Sequence, residues 1–310
     1  MKIVIVGGGA IGRLFGSYLA NSKNEVTLLD IDNQVVDAVK NNGIHVLGRD
    51  VADPDIVSRV LVNAVTDGKL ITESDLVLLM VKSFATRIAT QSVAHLIGSH
   101  CPLLCIQTGL GNIEIIEQLI PKEDILVGFT FMSGTALGNS KVRYGQEGKT
   151  YIGEINGEIT NRVQNIADEF EASGITTQVV RRIIGRLWCK VIVFSAINPL
   201  SALLKVPNGV LTSKTESITL MKRLLDEGKA VADRHGIDLV YKDLYELLFD
   251  ACQRSSNNLS SMFQDILNNN LTEIDAQNGA ICKYGALYGI STPTHQTMVE
   301  MIKLQEKWSL

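Results

Sequence analysis

The chain has 310 residues, 45% of them hydrophobic, and a formal net charge of −4. That length accommodates two ordinary domains with real cores. The acidic balance gives no reason to expect nucleic acid or an anionic membrane as partner, and no apolar run approaches the roughly 20 residues of a bilayer span.

An apolar β-branched run, Ile3 to Val6, predicts a first strand over 2–6 and leads into Gly7-x-Gly9-x-x-Gly12. A signal peptide explains this start less well, because the run is short and three glycines follow it. A helix over 10–22 comes next, then a strand over 25–30 that ends on Asp30. Strand, tight turn, helix and an acid about 20 residues on make the dinucleotide-binding fingerprint. Gly7 allows the sharp turn. Gly9 removes a side chain that would block a pyrophosphate. Gly12 lets the helix lie close on the strand. With Ala10 and Ile11 they form a cradle at a helix N-terminus, where free N–H groups face an anion. The bland alternative is a glycine turn in some other α/β fold.

The alternation continues with helices over 33–41, 84–97 and 112–119 and strands over 75–81, 102–106 and 124–130. It predicts a mostly parallel, doubly wound sheet. Shorter strand-like pieces, Ile44–Leu47 and Arg59–Val62, fall in the third crossover. The glycine-rich segment 131–155 reads as hairpins, and a helix over 158–172 and a strand over 175–180 complete the half. From about Ile183 helical patterns dominate: 183–204, 214–235, 241–254, 257–268, 272–289 and 295–308. The expected fold class is therefore α/β, with a Rossmann-type domain over 1–181 and an all-α domain over 182–310. In such a plan the cofactor lies at the carboxyl ends of the strands and the second domain closes the substrate side. Chemistry is thus expected in the helical half. The five cysteines, at 101, 105, 189, 252 and 282, show no C-x-x-C and no metal-ligand spacing. They read as reduced core thiols of a cytoplasmic protein.

In the first helix of the second half, Lys190, Phe194 and Asn198 fall at i, i+4 and i+8 and share one face. The helix is apolar almost all round, which implies burial. A buried lysine and asparagine are costly without partners. A paired structural lysine is the plain reading. The preceding nucleotide fingerprint makes a lysine aimed at substrate the better one. Pro199 lacks an N–H and is expected to kink the helix. Further on, Asn258 and Ser261 stand at i, i+3 on an expected helix face; capping and a solvated surface are the alternative. Thr272 and Asp275 read as a capping-box start, with Glu273 in the first turn where the helix dipole favours a carboxylate.

Taken in order, GxGxxG, L-W-x-K-x-x-x-x-x-x-x-N-P-L, N-x-S-S-M-x-Q-D and T-E-I-D-x-x-N-G carry a resemblance over essentially the whole chain. The chain resembles the ketopantoate reductase (2-dehydropantoate 2-reductase) family. The resemblance implies a Rossmann domain plus a helical domain. It also implies hydride transfer from a reduced nicotinamide to a 2-keto group, with an (R)-2-hydroxy acid as product. Position by position, it implies Lys190 as the catalytic lysine and Glu273 as the catalytic-site glutamate. Asn198, Asn258 and Ser261 match substrate-binding residues, and Lys82 matches a strand-end lysine on the cofactor.

Three departures from the family pattern bear on specificity. Where the family usually carries an arginine for the 2′-phosphate of NADPH, this chain has Ile31, just after Asp30. A carboxylate at Asp30 accepts from a ribose 2′-OH and repels a 2′-phosphate. NAD(H) is the expected cofactor, with NADP(H) still open because Arg13 and Lys82 could attract a phosphate. The family's Asn-Gly-x-Gly turn here reads Thr108-Gly109-Leu110-Gly111, so Thr108 keeps only a hydroxyl at the nicotinamide and substrate. Phe194 stands where asparagine is frequent. An aromatic wall would suit a substrate with a bulky apolar group at carbon 3, as in the family's D-mandelate and D-2-hydroxyacid dehydrogenases; the alternative is that Phe194 turns into the helix core.

The reading that follows is an NAD-dependent reductase of C3-branched 2-keto acids, with a phenylglyoxylate-type acid favoured and no metal required. Ketopantoate reduction for pantothenate synthesis is the second reading. A non-catalytic nicotinamide-nucleotide sensor is the rival of another class; it would not need a lysine–glutamate pair. A sugar-acid or glycerol-phosphate dehydrogenase would want a basic phosphate pocket, and Arg181-Arg182, the only basic pair near the boundary, reads equally as a solvated helix start. The partners expected are a small 2-keto or 2-hydroxy acid and, left open, a second copy of the chain.

Overall fold

Short β-branched runs and amphipathic helices alternate through the first half of the computed structural model, which describes residues 1–48 and 56–309. The elements are β1 (Lys2–Val6), α1 (Ala10–Asn21), β2 (Glu25–Leu29), α2 (Asn33–Asn42), β3 (Ile44–Leu47), β4 (Ile56–Val60), β5 (Asn63–Val65), β6 (Leu76–Leu79), α3 (Thr86–Val93), β7 (Leu103–Cys105), α4 (Asn112–Ile116), β8 (Ile125–Thr130), β9 (Ser133–Ala136), β10 (Lys141–Gln146), β11 (Thr150–Glu154), α5 (Asn161–Ala172) and β12 (Thr177–Val179). The larger sheet has the order β12-β11-β8-β7-β6-β1-β2-β5. Its strands run parallel from β5 to β8, and β11 pairs antiparallel with β8. Strand order reverses between β1 and β6, the switch point at which ligands bind in such sheets. Both faces are buried, so the strands read as unbroken apolar runs. Ile3, Ile5, Leu76 and Leu78 pack into one core, while Val4, Val6, Val77 and Leu79 pack into the other.

A second sheet, β4-β3-β10-β9, covers α1 from its other side. This explains why Leu14, Phe15 and Leu19 of α1 are fully buried together with Arg13 and Ser17. The hairpins expected over 131–155 reduce to one, β9 with β10, and β10 also pairs parallel with β3. β11 instead joins the large sheet. The strand expected at Arg59–Val62 ends at Val60, and β5 follows it onto the edge of the large sheet. The helix expected over 84–97 is α-helical only over Thr86–Val93, with 3-10 turns at Ser83–Ala85 and Ala94–Leu96. Orphan backbone groups at helix ends favour such tightening.

The second half is helical: α6 (Ile183–Leu204), α7 (Thr215–Arg234), α8 (Leu244–Arg254), α9 (Ser261–Leu267), α10 (Asn278–Tyr288) and α11 (Pro293–Ser309). The chain divides into two compact units, Met1–Gln107 with Asn112–Ile183, and Thr108–Gly111 with Ile184–Leu310. Thus the turn Thr108–Gly111, which lies inside the expected 1–181 domain in sequence, belongs with the helices; Leu110 N–H donates to the Ala276 carbonyl at 2.8 Å. The expectation that no apolar run reaches a bilayer's length needs correction. α6 has 22 residues and contains an 18-residue window of mean hydropathy 1.7, but 83% of that window is buried within the protein, as in a core helix. It runs through Pro199 without a break. Pro199 has no N–H to give the Ser195 carbonyl. Asn278 of α10 supplies the donor instead, its Nδ2 lying 2.9 Å from that carbonyl.

Two other expectations change. The helix placed over 257–268 begins at Ser261, because the Ser260 hydroxyl accepts from Phe263 N–H at 3.1 Å and caps it. The helix placed over 272–289 is split. A 3-10 turn spans Ile274–Ala276, Gln277 breaks it at φ −105° and ψ −96°, and α10 starts afterwards. The Thr272–Asp275 capping box does not form: Asp275 pairs with Lys303 at 2.6 Å, while Thr272 Oγ1 accepts from Ile274 N–H at 3.2 Å.

Candidate functional site

In the first unit the chemistry gathers at the turn from β1 into α1. Gly7 has φ +113°, and a Cβ there would lie 2.9 Å from the backbone of Met80 and Val81 leaving β6. The turn therefore sits at the switch point. A Cβ on Gly12 would lie 2.0 Å from the Gly7 carbonyl oxygen, so the helix can approach the strand only through glycine. Gly9 differs: a Cβ there would meet no atom within 4 Å. Gly9 occupies the N-cap of α1 and no side chain caps the helix. Ala10 and Ile11, half-buried, complete the first turn. Open space at an uncapped helix N-terminus fits a pyrophosphate.

Asp30 braces this turn. Its Oδ2 accepts from Gly8 N–H at 2.6 Å and its Oδ1 from Asp32 N–H at 2.9 Å. A Cβ on Gly8 would lie 2.9 Å from that Oδ2, so the middle glycine of the triplet also matters. Arg13 corrects an expectation. It is not held out for a phosphate: Nε donates to the Gly8 carbonyl at 2.7 Å, and Nη1 to the carbonyls of Gly138 and Lys141 at 2.6 and 3.0 Å. Burial lowers its pKa, with the Asp30 charge opposing. Ile31 is 86% exposed. Lys82 is half-buried and opens the 3-10 turn after β6. Gln107, overlooked in the sequence, ties this region together: its Nε2 donates to the Val81 carbonyl at 2.8 Å and to Thr86 Oγ1 at 2.9 Å. A glutamine at the end of an apolar strand was the available signal.

In the helical unit α6 sets Lys190, Phe194 and Asn198 along one stripe. Lys190 is 7% exposed. Its Nζ donates to Thr108 Oγ1 at 3.0 Å and stands 5.6 Å from the centre of the Phe194 ring. Burial pushes its pKa down to about 7, with the Glu273 charge opposing. An ammonium so placed can give a proton near neutral pH. Asn198, buried, donates from Nδ2 to Gln277 Oε1 at 2.9 Å. Its carbonyl accepts from Ser260 Oγ at 3.3 Å. Asn258 and Ser261 do not share a helix face. Asn258 lies in the loop before α9, with its carbonyl accepting from Asn208 N–H at 3.0 Å, and Ser261 is exposed at the helix start. Glu273 is half-buried and precedes the 3-10 turn rather than standing within a helix. Gln277 and Ser260 were not singled out in the sequence, since a lone glutamine and a capping serine are ordinary there.

A glycine turn at the switch point of a doubly wound sheet, together with a buried lysine titrating near neutrality, marks an NAD(P)-dependent oxidoreductase acting on a CH–OH group. Residues 3–157 match the family model for ketopantoate reductase PanE/ApbA, and residues 182–306 match its C-terminal model. The chain belongs to the ketopantoate reductase family. It is 30% identical to the 2-dehydropantoate 2-reductase of Halobacterium salinarum, over 99% of each chain. It is equally 30% identical to that of Pyrococcus abyssi, over 99% of this chain and 98% of the relative. Among solved structures, a D-mandelate dehydrogenase with NADH and anilino(oxo)acetate superposes with a TM-score of 0.93 at 27% identity, covering 100% of this chain and 99% of the other. A family ketopantoate reductase from Ralstonia eutropha gives 0.88 at 27% identity, with 100% and 99% covered.

Proposed function

We propose that the protein uses NADH to reduce a C3-branched 2-keto acid to its (R)-2-hydroxy acid, favouring an apolar acid of the phenylglyoxylate type. The observation that carries this reading is the buried Lys190 ammonium, held by Thr108 Oγ1 at 3.0 Å beside the Phe194 ring. A keto oxygen develops negative charge as its carbon is reduced. Lys190 stabilises that charge and delivers the proton from Nζ. Glu273 keeps the lysine's proton affinity from falling further. Thr108 aims the ammonium, and Asn198, Asn258 and Ser261 bind the substrate carboxylate or hydroxyl. Phe194 offers an aromatic wall.

Gly7, Gly9, Ala10, Ile11, Gly12 and Lys82 would hold the dinucleotide, whose nicotinamide supplies the hydride when bound. Each oxygen of the Asp30 carboxylate already accepts one N–H. Each retains a second lone pair, so a ribose hydroxyl can still be accepted while a 2′-phosphate is repelled. The second reading is ketopantoate reduction. It is favoured by the named 2-dehydropantoate 2-reductases and by the buried Asn198–Gln277 amide pair, a polar spot suited to a terminal hydroxyl.

The test is initial-rate nucleotide oxidation with ketopantoate and phenylglyoxylate side by side, using NADH and NADPH. Higher kcat/KM for phenylglyoxylate with NADH is expected. A clear preference for ketopantoate selects the second reading. An NADPH/NADH efficiency ratio above one refutes the Asp30 argument. No turnover of any 2-keto acid would leave a nucleotide sensor.

A further inference from the structure

Glu273 sits at the end of an exposed stretch. Residues 267–271 are all exposed, and the chain then dives at Thr272, which is 6% exposed. Beyond Glu273 its own carbonyl starts the next turn, accepting from Ala276 N–H at 3.1 Å and Gln277 N–H at 3.2 Å. On the near side the anchor is Glu306 of α11. One carboxylate oxygen, Oε1, accepts from Thr272 N–H at 2.8 Å and from Thr272 Oγ1 at 2.6 Å. The same face of α11 carries Val299 and Ile302, which pack with Ile274 in one core cluster. It also carries Lys303, paired with Asp275 at 2.6 Å. Positions 299, 302, 303 and 306 follow the i, i+3, i+4, i+7 pattern of one helix stripe. Thus α11 grips the residues immediately before and after Glu273.

We propose that Glu306 is a positioning residue, which through Thr272 sets where the Glu273 carboxylate stands relative to Lys190. This rests on the assignment of Lys190 and Glu273 above. The two grips are unequal. Lys303 and Asp275 are substantially exposed, and exposed pairs hold little. Glu306 instead satisfies two donors of a buried residue, with charge-assisted hydrogen bonds. Charged groups with interactions at the turn include Lys190, Asp275, Lys303 and Glu306. Of these, Glu306 reaches Thr272, the residue next to Glu273.

The experiment compares E306L, E306Q, K303M and E273Q in the full chain. The readouts are kcat, KM, nucleotide binding by fluorescence, and the pH at which the reduction rate falls. In E306L, kcat should drop up to about 100-fold, the scale of an ångström misplacement of a catalytic group. KM for the keto acid should change far less, and nucleotide binding should hold. The pH limb should move in the same direction as in E273Q. E306Q keeps a carbonyl acceptor and should recover most of the loss, and K303M should stay near the parent. If E306L fails to fold, T272V, which removes the hydroxyl but keeps the N–H, carries the test with a smaller drop in kcat and the same shift. Parent kcat and pH limb in E306L, or in T272V where it stands in, overturn the proposal while E273Q remains impaired. An unimpaired E273Q overturns the catalytic assignment itself and the brace with it.

Discussion

At Lys190 two effects oppose each other. Removing water from the ammonium lowers its pKa, while the negative charge of Glu273 raises it. Desolvation is the larger, and the outcome is about 7. A general acid is most effective when its pKa lies near working pH. With Lys190 as the proposed acid, reduction uses the protonated lysine, so kcat/KM for reduction should fall as pH rises through about 7. Oxidation of the hydroxy acid needs the neutral amine and should rise over the same interval. Lys190→Ala should lower kcat by about 10²–10⁴ while leaving NADH binding nearly intact, as read by steady-state rates and fluorescence titration. Full activity in that variant would remove the catalytic assignment. Lys190 was legible in the sequence because a charge on an apolar helix demands a reason. Gln277 was not, because its meaning comes from Asn198, 79 positions away in the chain.

At the scale of elements, the glycine turn illustrates two different demands. Gly12 serves the fold: an added methyl would overlap the Gly7 carbonyl at 2.0 Å. Gly12→Ala should therefore cost about 1–3 kcal/mol or more in urea unfolding, the range of overpacking. Gly9 has open space and an ordinary φ of −66°. Gly9→Ala should alter stability by less than about 0.5 kcal/mol, yet weaken NADH binding at least about tenfold, or about 1.4 kcal/mol. Parent NADH affinity in Gly9→Ala would show that the space over Gly9 is not a ligand site. The same contrast explains what the sequence conveys about elements. α6 is readable to the residue because its apolar run is long and uninterrupted. The break at Gln277 and the late start of α9 are not readable. One depends on an unusual backbone angle and the other on which of several serines becomes the cap. The membership of Thr108–Gly111 rests on a long-range hydrogen bond, from Leu110 to Ala276, that local propensity cannot signal.

For the molecule as a whole, the buried polar junction of the helical unit is built around His295. His295, fully buried in the first turn of α11, contacts two other helices directly and a third through Asn278. Its Nε2 contacts the Leu224 carbonyl of α7 at 2.9 Å, and its Nδ1 contacts Asn278 Nδ2 of α10 at 3.0 Å. The same Asn278 nitrogen donates to Ser195 of α6, the carbonyl that Pro199 leaves unpaired. A carbonyl on one ring nitrogen and an NH₂ on the other specify the neutral Nε2–H tautomer. A proton on Nδ1 would set donor against donor. Burial accordingly lowers the His295 pKa to about 4, with the Leu224 carbonyl and the Glu227 charge opposing. The unfolded value is near 6.5, so between the two values the unfolded chain binds more protons. Stability from this group is complete above about pH 6.5 and is lost as pH falls towards 4, by about 3 kcal/mol in total. The loss should reach the site, because α11 carries this histidine in its first turn and Glu306 in its last. Imidazole NMR should show a His295 resonance that stays neutral down to about pH 5. Urea midpoints should decline from pH 7 to pH 4.5, with a smaller decline in His295→Gln. A His295 resonance titrating near 6.5 in the folded protein would show that this junction places no acid limit on the fold.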